Sequence, residues 1–240
     1  MAFTALTYNL HKGRSFLSGK YILQELREEL LKIAPDIVFL QEVMGLQKGQ
    51  SHLEFFAQSL GLYPAYGLNN FKSHRHYGNA ILTRFPLESF ANRNISTNRF
   101  ERRGSLQARV TRERPYGDLM LFCLHLDLLE SGRALQIQNV VHQIKHQLDP
   151  RTPVLVAGDF NDWRGRVCSV LENELGLLNA FHSEAGKTVD GRTFPSFFPS
   201  VGLDRFYLRN LRVLKVEVLR GAPWNRFSDH CPVLATFEAK

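Results

Sequence analysis

The chain has 240 residues, 44% of them hydrophobic, a formal net charge of +7 and a sequence pI of ≈ 9.5. That is enough apolar material for one large core, and no run of about 20 apolar residues is present to cross a bilayer as a helix. The basic excess is compatible with an anionic substrate or surface, although net charge speaks to steering and not to fold. The three cysteines, Cys123, Cys168 and Cys231, lack metal-type spacing, and Cys123 lies inside an apolar run, as a reduced core thiol would. The first residues run straight into a strand pattern with no basic n-region or long apolar h-region, so a cytoplasmic protein, monomeric, is expected.

Residues 3–10 alternate and predict a strand ending at Asn9. Residues 20–33 place Ile22, Leu23, Leu26, Leu30 and Ile33 at helical spacing; Pro35-Asp36 ends that helix, and the apolar run 37–40 predicts a buried strand ending at Gln41-Glu42. Residues 51–60 read as a helix with Ser51 as N-cap and Gly61 beyond its end. Strand-like pieces follow at 78–84, 104–112 and 118–126, and residues 68–78 read as a polar, basic, aromatic loop. Residues 131–148 carry the longest helical pattern. The run Val154 to Ala157, between Pro153 and Gly158, reads as a buried parallel-type strand. A loop-rich region at 183–202 precedes strands at 203–208, 211–219 and 232–238. No repeat, low-complexity tract or linker is visible, so residues 1–240 are expected to form one domain of sheets packed between helical layers.

Polar residues recur where these strands end: Asn9 and His11, Gln41 and Glu42, His125 and Asp127, Asp159 and Asn161, Asp204, then Asp229 and His230. Any one of them alone is an ordinary turn residue or helix cap. Together they matter, because α/β sheets bind ligands at the carboxyl ends of their strands. Asp159 and Asn161 are two apart, so in an extended geometry both side chains point to one side, where a carboxylate and an amide can hold a water, a metal or a phosphate oxygen. A lone carboxylate at Glu42 suits Mg²⁺, which keeps several waters and takes one or two protein carboxylates plus substrate phosphate. An Asp partner fixes a histidine tautomer and raises its pKa, so His230 can stay charged beside a phosphate. Its partner is either Asp229 or Asp204; neighbours on a strand face opposite ways, which favours Asp204. These clusters point to metal-assisted hydrolysis of a phosphate ester. No His-Glu-x-x-His, no phosphate-cradling Gly-x-x-x-x-Gly-Lys-Ser/Thr and no Gly-x-Ser-x-Gly elbow occurs, which disfavours zinc-peptidase, nucleoside-triphosphatase and covalent serine chemistry.

Seven pieces, Thr7-Tyr-Asn9-Leu, Leu40-Gln-Glu42-Val, Gly78-Asn79-Ala-Ile-Leu, His125-Leu, Gly158-Asp159-Phe-Asn161, Leu203-Asp204-Arg-Phe-Tyr and Ser228-Asp229-His230-Cys-Pro, span residues 7–232. In this order the chain resembles the endonuclease/exonuclease/phosphatase superfamily, with its DNase I-like fold, and looks closest to small bacterial members. The resemblance implies a four-layer α/β/β/α sandwich, two mixed β-sheets flanked by helices, and a Mg²⁺ or Mn²⁺ cofactor. It implies Glu42 as metal ligand with Asn9 beside it and Asp229 nearby, Asp159 orienting or deprotonating the attacking water, and Asn161 holding a phosphate oxygen. It also implies His230, paired with Asp204, on the scissile phosphate, and His125 as a second histidine and general acid. Arg103 is either an added phosphate binder or a solvated strand-end arginine. Abasic-site endonucleases of the superfamily place Lys after the motif Glu; Val43 stands here and lowers that reading.

The expected function is phosphodiester hydrolysis by in-line water attack, with an endonuclease or exonuclease acting on DNA or RNA favoured. The alternatives are a phosphatase or a phospholipid or inositol-phosphate phosphodiesterase, and, further off, a catalytically silent binding module. The mixed basic and aromatic residues 69–77 match a single-stranded nucleic-acid site or a solvated loop equally. Residues 194–198, rich in Phe, are expected to pack beneath their own backbone, with contact to a base or lipid tail as the other reading.

Overall fold

The computed structural model describes residues 2–46, 50–72, 75–112, 117–166, 169–182 and 188–240. One six-stranded sheet has the order β11-β12-β1-β2-β4-β3 and the other β5-β6-β7-β8-β10-β9. The first contains β1 (Ala2–Asn9), β2 (Ile37–Leu46), β3 (Tyr63–Lys72), β4 (Arg75–Thr83), β11 (Leu211–Val218) and β12 (Val233–Ala239). The second contains β5 (Leu87–Asn94), β6 (Gly104–Thr111), β7 (Asp118–His125), β8 (Val154–Asp159), β9 (Leu178–Asn179) and β10 (Asp204–Arg209). The parallel pairs, β1 with β2 and β7 with β8, sit at the centre of their sheets, and every other pairing is antiparallel. The two sheets therefore repeat one pairing pattern, although the sequence shows no repeat.

Period-two alternation sends Phe3, Ala5, Ile37, Phe39 and Ile81 to one face, where they meet Leu121, Leu155, Ala157, Phe206 and Leu208 of the facing sheet. The outer faces are covered by helices. α1 (Leu23–Ile33) and α2 (His52–Leu60) bring Leu26, Leu30 and Phe56 onto Leu6, Tyr8, Val38 and Leu40. α3 (Glu130–Gln147) and α4 (Ser169–Leu175) bring Ile137, Val140, Ile144 and Leu171 onto Phe122, Val154 and Val156. Both faces of β8 are buried, which is why its sequence is a continuous apolar run and not an alternating one. Truncating one such buried Phe or Leu to Ala typically costs ~2–5 kcal/mol. No helix among the described residues is long and apolar enough to cross a membrane.

Several boundaries differ from the sequence reading. The expected loop at 68–78 is largely strand: β3 and β4 pair along it, with Asn70 opposite Tyr77 and Phe71 opposite His76. Polar composition concealed a hairpin whose backbone pairing does not depend on an apolar face. β5 was also unread, because as an edge strand it is mostly exposed and shows no alternation. The strand at 37–40 does not stop at Glu42 but continues to Leu46 through a bulge described below. The short α4 and α5 (Trp224–Phe227) and the two-residue β9 lacked enough periodicity to be read. Cys123 is buried and free, as expected of a core thiol, and Cys231 is buried and free as well; Cys168 lies outside the described residues.

α2 begins with a full capping box. Ser51 Oγ accepts from the Glu54 backbone N–H, and the Glu54 carboxylate accepts from the Ser51 N–H. Its first residue, His52, is buried and its Nδ1 accepts the Met44 N–H at 3.3 Å. Burial lowers its pKa to about 4. An unfolded histidine titrates near 6.5, so the unfolded state binds the extra proton first. Stability is complete above pH ~6.5 and falls as pH drops toward 4, by ~3 kcal/mol at most from this residue. Urea unfolding at pH 7 and pH 5 is expected to show that loss, and His52→Asn, whose Oδ1 can keep the Met44 bond, is expected to remove its share.

Candidate active site

The carboxyl ends of β1, β2, β7 and β8 lie at one end of the sandwich, and the starts of β10 and β12 join them because those strands run antiparallel to their neighbours. β10 begins beside the end of β8, with Asp204 opposite Asp159, and His125 is level with Asp159 across the parallel β7–β8 pair. At the centre, Asp159 Oδ2 accepts from Asn9 Nδ2 at 3.1 Å and faces His125 Nε2 at 3.5 Å and His230 Nε2 at 3.6 Å. Its Oδ1 accepts the Asn161 N–H at 3.0 Å. His230 Nδ1 lies 2.9 Å from Asp204 Oδ2, so Asp204 and not Asp229 is the partner. All four side chains, Asn9, Asp159, Asp204 and His230, are buried.

The two histidines on Asp159 have opposite electrostatics. Burial pushes His125 down to about 3, Arg103 adds to the effect, and Asp159 only partly opposes it. For His230 burial also acts downward, but the carboxylates of Asp204 and Asp159 outweigh it and push it up to about 10. At neutral pH one ring is neutral and the other an imidazolium. A general acid at His125 would need a charged ring; burial and Arg103 work against that charge, and His125 lacks the second carboxylate that His230 has in Asp204.

A second cluster lies on the first sheet. β2 and β4 lose register between Leu40 and Val43, so β2 carries one extra residue at Gln41-Glu42. Glu42 takes φ 54°, a left-handed conformation costly for a glutamate, and lines a cleft of about 270 Å³ with Lys12, Asn79, Arg103 and His125. Its Oε2 is buried without a hydrogen bond, with Lys12 Nζ at 3.3 Å as its ion-pair contact. Asp229 Oδ1 lies 3.1 Å from His11 Nδ1. That hydrogen bond, with Asp229's charge, raises His11; for Asp229 burial acts upward, but His11 and His230 together leave its pKa lowered. Ser228 ties the clusters, its Oγ donating to Asn9 O at 2.7 Å.

Asn161 does not sit in the extended geometry expected. It has φ 51°, and its Nδ2 donates to Leu126 O at 3.0 Å, with no acceptor among the described residues for its second amide hydrogen. Arg103 lines the cleft, its Nη2 3.4 Å from Glu101. Sequence reasoning missed the roles of His11 and Lys12. They form a 3-10 turn with Gly13 in which all three residues have positive φ, and Gly13 was the sole local signal.

Three atoms of Asp159, Asp204 and His230 lie within 4.8 Å of one another. That trio is a poor cation site, because an imidazolium offers no lone pair. Glu42 and Asp229 fit better: both present carboxylate oxygens, the buried Glu42 Oε2 accepts no hydrogen bond and has only the Lys12 ammonium, 3.3 Å away, as its ion-pair contact among the described residues, and Asn9 Oδ1, which accepts the His11 N–H at 3.1 Å, keeps a second lone pair.

A family model described as Endonuclease/Exonuclease/phosphatase family matches residues 6–230. The chain belongs to this family. It is 36% identical over 244 residues to the uncharacterised protein YbhP of Escherichia coli strain K12, covering 98% of this chain and 95% of YbhP. Among solved structures, the Bacteroides thetaiotaomicron mannosyl-6-phosphatase Bt3783 superposes with a TM-score of 0.77 at 16% identity, covering 98% of this chain and 99% of that one. D. rerio TDP2 in complex with a single-strand DNA product gives 0.74 at 19%, covering 99% of each. The fold is thus the DNase I-like sandwich expected, and it hosts more than one substrate class.

Gly158 is the backbone constraint that places Asp159. It has φ 144°, and a Cβ there would run into Leu124 O of β7. Gly158→Ala is expected to lower unfolding free energy by ~2 kcal/mol or more, read by urea titration.

Proposed function

We propose that this chain is a divalent-metal-dependent phosphodiesterase that hydrolyses its substrate by in-line attack of water. The observation that carries this reading is the pairing of His230 with both Asp204 and Asp159, 2.9 and 3.6 Å away, beside a second acidic cluster at Glu42 and Asp229. Glu42 and Asp229, with Asn9, would hold Mg²⁺ or Mn²⁺, which when bound polarises a phosphoryl oxygen and offsets charge on the leaving group. His230, held by Asp204 as an imidazolium, donates its Nε2 proton to a phosphate oxygen as negative charge grows there. Asp159 orients the water and accepts its proton; its link to Asn9 keeps the carboxylate aimed into the site. The second amide hydrogen of Asn161 is a further donor to the phosphate, and Arg103 supplies positive charge along the cleft. His125 contributes a neutral imidazole beside Asp159.

A diester is favoured over a monoester because the site is flanked on two sides. Asn69, Asn70 and Tyr77 line one flank, and Phe16 and Phe194 pack on His11 and His230 on the other. A monoester has no second substituent to occupy the further flank. A nucleic-acid strand and a phospholipid both carry such a bond, and the surface around the site distinguishes them below.

With bis-p-nitrophenyl phosphate and Mg²⁺ or Mn²⁺, turnover is expected, and EDTA is expected to abolish it. Asp159→Ala and His230→Ala are each expected to lose about 10²–10⁴-fold in kcat while keeping the wild-type circular dichroism. Wild-type turnover in both folded variants refutes the assignment. The pH profile adds a separate check. A donor whose pKa is raised stays charged below that value, so activity should persist into the alkaline range and fall as pH rises through His230's pKa. Asp204→Asn removes the main charge holding that pKa up, so the alkaline limb is expected to move to lower pH by about one unit or more.

A further inference from the structure

Among the described residues, six large apolar side chains are at least 60% exposed: Phe100, Phe198, Leu129, Leu17, Phe197 and Leu135. All but Leu135 stand on loops at the catalytic end. Leu17 is on the loop leaving β1, Phe100 on the β5–β6 loop, and Leu129 on the step from β7 into α3, with Phe197 and Phe198 on the approach to β10. Leu128 and Trp163 on the same rim are also exposed. The patch reaches the reacting groups. The Phe16 and Phe197 rings are parallel within 3°, their centroids 6.4 Å apart, and Phe16 lies edge-on to His11 at 6.0 Å. The expectation that residues 194–198 pack beneath their own backbone is therefore wrong for Phe197 and Phe198, which face solvent.

Basic side chains are interleaved with these residues. Lys12, Arg14 and Lys20 share the loop of Phe16 and Leu17; Arg99 and Arg102 flank Phe100; Arg164 follows Trp163, and all six are exposed. The described loops that carry these six cations hold two acids, Asp162, which is buried, and Glu101, which is partly buried; Glu130, the first residue of α3, is about half exposed and pairs with Arg166. Soluble monomers rarely collect exposed apolar side chains on one face without a partner for them. Apolar tips mixed with Lys and Arg match the boundary of an anionic bilayer, where acyl chains take the apolar groups and headgroups take the cations. A nucleic-acid strand would match the arginines and phenylalanines, but Leu17, Leu128 and Leu129 offer a base no π-face.

We propose that the catalytic end docks on an anionic phospholipid bilayer and that the bond cleaved is the phosphodiester of a lipid headgroup; the second half rests on the phosphodiesterase reading. Docking brings the headgroup layer against the cleft, with Leu17, Leu129 and Phe198 at the acyl boundary and Lys12 and Arg102 among the phosphates.

The test is co-sedimentation with vesicles of phosphatidylcholine, with and without about 30 mol% phosphatidylglycerol, alongside a single-stranded oligonucleotide. The wild type is expected to bind the anionic vesicles, with a blue shift of Trp163 emission and quenching by brominated lipid. Leu17→Ser with Phe198→Ser, and separately Leu129→Ser, are expected to weaken vesicle binding by about tenfold or more and to leave bis-p-nitrophenyl phosphate turnover unchanged. No vesicle binding at about 1 mM lipid overturns the proposal. So does oligonucleotide binding, without vesicle binding, that the same variants weaken; it points to a nucleic-acid substrate instead. A wild type that turns over the diester but binds no vesicles sinks the docking alone. A wild type that binds vesicles but turns over no diester sinks the phosphodiesterase reading and leaves the docking standing.

Discussion

The hydrogen bond from Asn9 Nδ2 to Asp159 Oδ2 joins residues 150 apart in sequence and links the two sheets at the end where the chemistry is placed. The remaining geometry depends on it. Asn9 ends β1 and Asp159 ends β8, so the bond brings the central parallel pair of each sheet to a common edge. Asp159 then has His125 and His230 on one oxygen and the Asn161 backbone on the other. Ser228 reinforces the joint from β12's approach through its bond to Asn9 O. A buried carboxylate with so many partners is costly to leave half-satisfied, so the network acts as one unit.

Backbone conformations of limited access gather at the same edge. His11, Lys12, Glu42 and Asn161 all have positive φ, as does Gly158. At the four non-glycine positions each costs on the order of 1–3 kcal/mol and persists only where surrounding packing over-determines it. That packing comes from three apolar layers, one between the sheets and one beneath each helical layer. The bulge at Glu42 follows the same logic: β2 continues its pairing with β4 on both sides of the interruption, so the strained residue is held from both ends. Strain and the candidate site coincide because aiming a carboxylate out of a strand requires leaving regular strand geometry.

Much of this was legible in the chain itself. The run Val154 to Ala157 followed by Gly158 and Asp159 reads as a buried strand ending in a polar cluster, because both features are local. The Asp204–His230 pair was accessible by a weaker route, the rule that strand neighbours face opposite ways. Residues 229 and 230 precede β12 and are not in a strand, so the right partner came from a geometry that does not apply there. The β3–β4 pairing over residues 68–72 and 75–77 was hidden because those ends of the two strands are polar, whereas the apolar end of β4, from residue 78 on, was read; residues 73 and 74 lie outside the described residues. Lys12 beside Glu42 was unreadable, since nothing in a His-Lys-Gly triplet reports which carboxylate it will meet.

What the sequence by itself determined is the set of candidate side chains and the strand ends they stand at, since apolar runs and turn residues act over a few positions. It also determined the layered class, through the alternation of strand and helix periods. Tertiary structure alone decided that the two histidines are pushed in opposite directions, since that depends on burial and on whether one carboxylate or two lie within about 4 Å, and Asp159 and Asp204 meet only because β8 and β10 pair. It also decided that the rim of the site is apolar as well as basic. Phe16, Phe100, Leu129 and Phe198 are far apart in the chain, and only the shared direction of the strands that carry their loops brings them to one face.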